Sequence, residues 1–208
     1  MNDIILNRIN DERLQSLWQD IARVSVPHAA EGFSGVLGEK VVASHSRTDL
    51  VPLLAIPEML GGVENDAVGI YLQMQGAIPG QIMLIVPLPK ALELADLVLG
   101  IPVGTTQQLG SLERSALAEV GNMTASFFLS AVASLTGFDS RPSPPAVVVD
   151  MVGAIIDIIV ATSGGASEQV LVIRSAFQCD GREVQTDFWV IPDPATLSTL
   201  ITQEESHA

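Results

Sequence analysis

Val68–Leu92 reads VGIYLQMQGAIPGQIMLIVPLPKAL, and its pattern decides the fold. Ile70, Leu72 and Met74 alternate with Tyr71 and Gln73, which is the period-two signal of a strand with one buried face. A turn follows at Gly76–Gly80, then a second apolar run, and the Pro87-x-Pro89 exit leads into ALELADLVLG at helical spacing. The same order recurs in Ile173–Leu197, IRSAFQCDGREVQTDFWVIPDPATL. At an offset of 105 residues Gly76 falls on Gly181, Pro87 on Pro192, Pro89 on Pro194 and Leu92 on Leu197. Phe188 and Val190 flank Trp189 in the second hairpin, and ATLSTLITQ again has helical spacing.

A long helical pattern precedes each hairpin. The first, about Asp11 to Gly38, contains Pro27, which is expected to kink or divide it. The second runs unbroken from Ser111 to Gly137, with Ser111 expected as N-cap, Glu113 in the first turn and Gly137 as a left-handed stop. The chain therefore reads as an internal repeat, about 11–100 and 111–205, within a single domain spanning 1–208. The expected architecture is α+β: two pseudo-symmetric halves, each with one long helix and about three strands, sharing an antiparallel sheet on which the long helices pack.

Composition narrows the function. Of 208 residues 48% are hydrophobic and 4% aromatic, so an aliphatic core is expected. The net charge of −14, with ten basic residues, argues against nucleic acid and against an anionic membrane surface. No unbroken apolar run reaches the ~18 residues of a membrane span, and MVGAIIDIIVA is interrupted by Asp157. The N-terminus lacks the apolar core of a secretory signal, so a cytoplasmic location is expected. Cys179, the one cysteine, reads as a small hydrophobe rather than a nucleophile.

Chemistry concentrates on the second helix. Ser115, Glu119 and Asn122 stand at i, i+4 and i+7, on one side of a helix, with Ser126 in line and small neighbours Ala118, Gly121 and Ala125 around them. On a helical wheel Leu112, Ala116, Val120, Met123, Phe127, Ala131 and Ser134 gather on a neighbouring side, which is the expected sheet-packing face. A carboxylate and a carboxamide one turn apart suit the holding of a partner's cation and of a water. His28, His45 and His207 have no partner at metal-ligand spacing, GFSGV lacks the second glycine of a nucleophile elbow, and Gly164-Gly165 reads as a turn.

Ser115-x3-Glu119-x2-Asn122, followed by 22 residues and Pro145, resembles the signature of the CheC-type chemotaxis phosphatases (CheC/CheX-like response-regulator phosphatases). RSALAEVGNMTASFF, SPPAVVVDMVGAI and AVGIYLQMQGAIPGQIML resemble that family as well, so the likeness runs from about Asp11 to Leu200. The resemblance implies two pseudo-symmetric halves on one sheet. It implies as substrate the aspartyl phosphate of a CheY-like receiver domain in chemotaxis and two-component signalling. Asn122 would orient the attacking water, Glu119 would dock on the receiver lysine, and Ser115 and Pro145 would support them. The Mg²⁺ would belong to the receiver, leaving this chain without a metal or cofactor of its own. The family often carries a second motif on the first helix, but here Asp20 stands in the place of Glu119, Arg23 in that of Asn122, and Ser46 in that of Pro145. Arginine only donates hydrogen bonds, so the first site reads as degenerate and one active site is expected. The family also binds a CheD-type deamidase, a partner that a chain with one site gives no ground to assert. The rival reading is a non-catalytic adaptor that docks on a receiver domain through the same stripe.

Overall fold

A computed structural model describes residues 2–162, 169–179 and 182–192, with some side chains inside these spans left aside. The turn expected at Gly164-Gly165 and the helix expected in ATLSTLITQ lie outside the described residues. Seven strands form one antiparallel sheet: β1 (Val41–Pro52), β2 (Asp66–Gly76), β3 (Gly80–Pro87), β4 (Ser140–Pro142), β5 (Ala146–Met151), β6 (Gln169–Cys179) and β7 (Arg182–Pro192). Their order is β1-β6-β7-β3-β2-β4, with β5 also on β2. The helices are α1 (Asn2–Leu37), α2 (Ile56–Met59), α3 (Leu88–Val98), α4 (Ser111–Thr136) and α5 (Val152–Thr162).

The order is symmetric about the β7–β3 junction. Hairpins β2–β3 and β6–β7 lie side by side, and β1 on one edge matches β4 plus β5 on the other. The expected α+β architecture of two halves sharing one sheet is therefore the one observed. The helices repeat at an offset of 99 residues. Leu17, Trp18, Ile21, Ala22, Val26, Ala29 and Ala30 are buried on α1, and Ala116, Leu117, Val120, Gly121, Ala125, Phe128 and Leu129 are buried at the same steps of α4. Both helices stop on a left-handed glycine. The Gly38 N–H donates to Ser34 O (3.0 Å) and the Gly137 N–H to Ala133 O (2.9 Å), with φ of 67° and 76°.

Strand alternation sorts the core into two layers. Ile70, Leu72 and Met74 of β2 and Ile82, Leu84 and Val86 of β3 face α1, α3 and α4. Met83, Ile85, Val172 and Trp189 face α2 and α5 on the other side. β3 is thus buried on both faces, as a central strand should be. The core is mainly aliphatic, but Trp18, Trp189 and Phe128 are also fully buried, and Trp18 stacks on Phe128 between α1 and α4 at 6.1 Å.

Three features differ from these expectations or add to them. α1 is one helix that begins at Asn2 and continues through Pro27 undivided. Pro27 is exposed while Val26, Ala29 and Ala30 beside it are buried, so packing on both sides of the proline holds the helix together. MVGAIIDIIVA, read only as an interrupted apolar run, contributes α5, with Val152, Ile155, Ile156 and Ile159 against the sheet and Asp157 exposed. By length and mean hydropathy α4 could cross a membrane, which a search for unbroken apolar runs passes over. Here Leu117, Val120, Phe128, Leu129 and Val132 of α4 are buried in the core of the fold. Cys179 ends β6; its side chain is outside the described set.

Asp96 of α3 anchors the connection into α4. Its buried carboxylate accepts the N–H groups of Gly104 (2.7 Å), Thr105 (3.1 Å) and Thr106 (2.9 Å). Burial pushes its pKa up, but the Thr106 hydroxyl and these three N–H donors outweigh burial and hold it below the ordinary 3.8. A carboxyl with a depressed folded pKa stabilises the fold above its unfolded value, near 3.9, and loses that contribution as pH falls through the folded pKa. Asp96→Asn should therefore lower stability by about 2–3 kcal/mol at pH 7. In urea titrations below about pH 4, the wild type should lose stability more steeply than the variant. Parallel pH curves would contradict this role.

Candidate functional site

Helix α4 presents the stripe because two neighbours claim its other sides. Gly121 is buried against Ile70 and Leu72 of the sheet, and Leu117, Ala125, Phe128 and Val132 are buried in the same core. Met123 and Phe127, which the wheel places toward the sheet, instead stand against α1: a Cβ on Gly32 of α1 would collide with the Phe127 ring and with Met123. Leu112, placed on that side by the wheel, is 61% exposed. The wheel weighs apolar residues alone, whereas the sheet selects the small Gly121 and Ala125 that let the helix sit close. Ser115 and Glu119 are exposed and Asn122 is half-buried, so the stripe lies at the margin of the buried surface.

The N-cap is Gly110, not Ser111. The Gly110 carbonyl accepts the first helical bond, from the Arg114 N–H at 3.1 Å, and no side chain caps the end. Ser115 donates its hydroxyl to Ser111 O (2.8 Å), and Ser126 donates to Asn122 O (2.7 Å). Both serines are thereby turned onto their own helix. Among the described residues, neither the Glu119 carboxylate nor the Asn122 carboxamide has a hydrogen-bond or ion-pair partner.

The opposite wall comes from the edge of the sheet. β4 pairs with β2 at Met74–Gly76 and β5 pairs with it at Asp66–Tyr71, and between them Ser143-Pro144-Pro145 leaves the ladder. Pro144 and Pro145 carry no N–H and cannot continue the pairing. The result is a cleft of about 490 Å³ lined by Ser115, Ala118, Glu119 and Asn122 from α4 and by Pro142, Ser143, Pro144 and Pro145. All four residues of the Ser-Glu-Asn-Pro pattern thus meet in one place. The opening is wide and shallow, a shape for a docked surface rather than an enclosed small molecule.

Among the described residues, the first half shows no such arrangement. Arg23 reaches back to Asp20, with Nη2 at 3.2 Å and Nε at 3.4 Å from Oδ1, so the residues at the two equivalent positions satisfy each other. Ser46, in the place of Pro145, lies inside β1, which stays paired to β6 from Val41 to Pro52 with one register shift between Ala43 and His45. Among the described residues, no group of three or more His, Cys, Asp and Glu is placed to hold a metal.

Sequence reasoning missed the residues that hold the proline wall, Ser140 and Ser143, and the anchor Asp96. Ser143 stands in a loop, Ser140 opens a three-residue strand and Asp96 is one polar residue near the end of α3, so none carries a periodic signal and only the hydrogen-bond partner reveals its role.

The CheC-like family model matches residues 112–149, which contain the stripe and the prolines. The chain is 26% identical over 193 residues to the Bacillus subtilis (strain 168) CheY-P phosphatase CheC, covering 91% of this chain and 92% of that protein. Among solved structures, Thermotoga maritima FliY has a TM-score of 0.67 at 16% identity, over 92% of this chain and 96% of that one. A chain of the CheX–CheY–BeF3–Mg²⁺ complex from Borrelia burgdorferi has a TM-score of 0.52 at 15% identity, over 83% and 97%. At those identities the structures share the fold alone. The resemblance to the CheC-type family read from the sequence is borne out.

Gly121 sits under the pair, and a Cβ there would lie 2.5 Å from Cγ2 of the fully buried Ile70. Gly121→Ala gains about 1 kcal/mol of helix propensity and forces α4 off β2, at a cost of about 1–3 kcal/mol. Net destabilisation in a thermal melt is expected, and a variant more stable than wild type would show that the contact is slack.

Proposed function

We propose that this CheC-like chain is a phosphatase for the aspartyl phosphate of a CheY-like receiver domain. The observation that carries the reading is the cleft in which Glu119 and Asn122 stand unpartnered while Asp20 and Arg23, their counterparts, neutralise each other. The name of its Bacillus subtilis relative, CheY-P phosphatase, supports the substrate class.

The reaction is hydrolysis. The oxygen of water forms a bond to phosphorus, the bond from phosphorus to the aspartyl oxygen breaks, and the electron pair stays on the carboxylate. The water proton passes to the departing phosphate, so the products are a free aspartate and inorganic phosphate. The transition state of such a transfer is loose, so positioning of water matters more than a strong base. Asn122 fits this: its C=O accepts a hydrogen bond from the water and its NH₂ donates to a phosphoryl oxygen. Glu119, one turn away, pairs with the receiver lysine and sets the helix over the phosphate. Ser115 and Pro145 border the same cleft and keep its two walls in place. The Mg²⁺ that neutralises the phosphoryl charge belongs to the receiver, and this chain needs no cofactor. The reaction takes place in the cytoplasm, and a CheD-type partner forms no part of the reading.

The net charge of −14 opposes approach to an acidic pocket, so the complex is weak and short-lived. The test is the decay of a CheY-like receiver phosphorylated by a small phosphodonor. Wild type should accelerate it, Asn122→Ala should lose about 100-fold of that acceleration, and Glu119→Ala should raise KM about tenfold. Equal decay with wild type and Asn122→Ala would remove the catalytic claim. Binding to the receiver without acceleration would instead identify an adaptor, since the fold by itself assigns no activity.

A further inference from the structure

The walls of the cleft are unequal. Glu119 and Asn122 stand on a helix of 26 residues seated on the core, whereas the facing wall is a three-residue strand followed by Ser143-Pro144-Pro145. Something must hold that wall where the ladder fails. Between the stretches of β2 that pair with β4 and with β5 lie Leu72 and Gln73, which have no ladder partner on that edge.

Ser143 meets this gap. Its backbone N–H donates to Gln73 O at 2.8 Å, and its Oγ accepts the Gln73 N–H at 2.9 Å. The pair copies a hydrogen-bonded antiparallel rung, with the serine hydroxyl taking the place of the serine carbonyl. That exchange frees the chain to turn away toward Pro144, where a strand conformation could no longer donate. Ser143 Oγ also lies 3.1 Å from Pro144 O, to which it donates, so one hydroxyl accepts from β2 and donates into the proline turn. Three residues earlier Ser140 acts in a similar way: its Oγ accepts the Ile78 N–H at 2.9 Å. Gly76 permits the close approach there, because a Cβ on it would stand 2.6 Å from Asp139 O.

We propose that Ser143 is a positioning residue for the site: its reciprocal bond with Gln73 holds the proline wall at the distance from Glu119 and Asn122 that a docked receiver requires. The inference rests on the phosphatase reading for its kinetic consequence and on geometry alone for its structural one. Because this wall lines the docking cleft and Asn122 stands on the other side, loss of the hydroxyl acts on docking more than on chemistry.

Two measurements on the full chain test it. In hydrogen exchange, Ser143→Ala should speed the Gln73 amide about tenfold while α4 amides stay unchanged, and Ser143→Thr, which keeps the hydroxyl, should restore protection. With a phosphorylated CheY-like receiver, Ser143→Ala should raise KM about fivefold and leave kcat within about twofold, again restored by threonine. Unchanged Gln73 exchange, or a kcat loss without a KM change, would overturn the proposal. Wild type inert toward the receiver would count against the phosphatase reading instead, and Gln73 exchange would still decide whether Ser143 holds the wall.

Discussion

Both walls of the cleft hang on strand β2. α4 reaches it through Gly121, which lies against Ile70 with no room for a methyl group. The proline wall reaches it through β4 at Met74–Gly76 and through the Ser143–Gln73 pair. The distance between the pair on α4 and the prolines is therefore set by one strand whose core side chains, Val68, Ile70 and Leu72, are fully buried. Side chains held in a dense interior are hard to displace, because any shift must be shared by many contacts. The loop that delivers α4 is held separately, by the Asp96 carboxylate and three backbone N–H groups.

The two halves match in their framework and differ at their surfaces. α1 and α4 bury side chains at matching steps, end on matching left-handed glycines, and flank the same core. The departures are local. In the second half the edge strand is interrupted by prolines and leaves a cleft, while in the first β1 runs on along β6. On α1 the exposed Asp20 and Arg23 form an ion pair at i,i+3, a contact that contributes little to stability but occupies both groups. On α4 the equivalent carboxylate and carboxamide have no such partner among the described residues. The difference between a satisfied surface and an available one rests on a few side chains and one broken strand.

Much of the fold was legible in order and period. Ile70, Leu72 and Met74 alternate because a strand buries every second residue, and the repeat at Gly76/Gly181 and Pro87/Pro192 marks the two hairpins. Ser111–Thr136 was readable to within a residue from the Gly137 stop, although the N-cap is Gly110 rather than Ser111. α5 was not, because a short apolar run reads equally as buried strand or buried helix. Nor was the continuity of α1 through Pro27, which depends on neighbours that sequence does not list.

The sequence by itself determined the repeat, the hairpins, the two long helices and the placing of Ser115, Glu119 and Asn122 on one side of α4. These are consequences of local spacing, and the backbone geometry of helix and strand converts spacing directly into direction. Only the tertiary structure decided which side of α4 meets the sheet and which meets α1. It alone brought Pro145 to the stripe, 23 residues away in the chain, and tied Ser143 to Gln73 across 70 residues. Those outcomes depend on which surfaces are covered and on which backbone groups the sheet leaves unpaired. That accounting can be made only when every neighbour is in place.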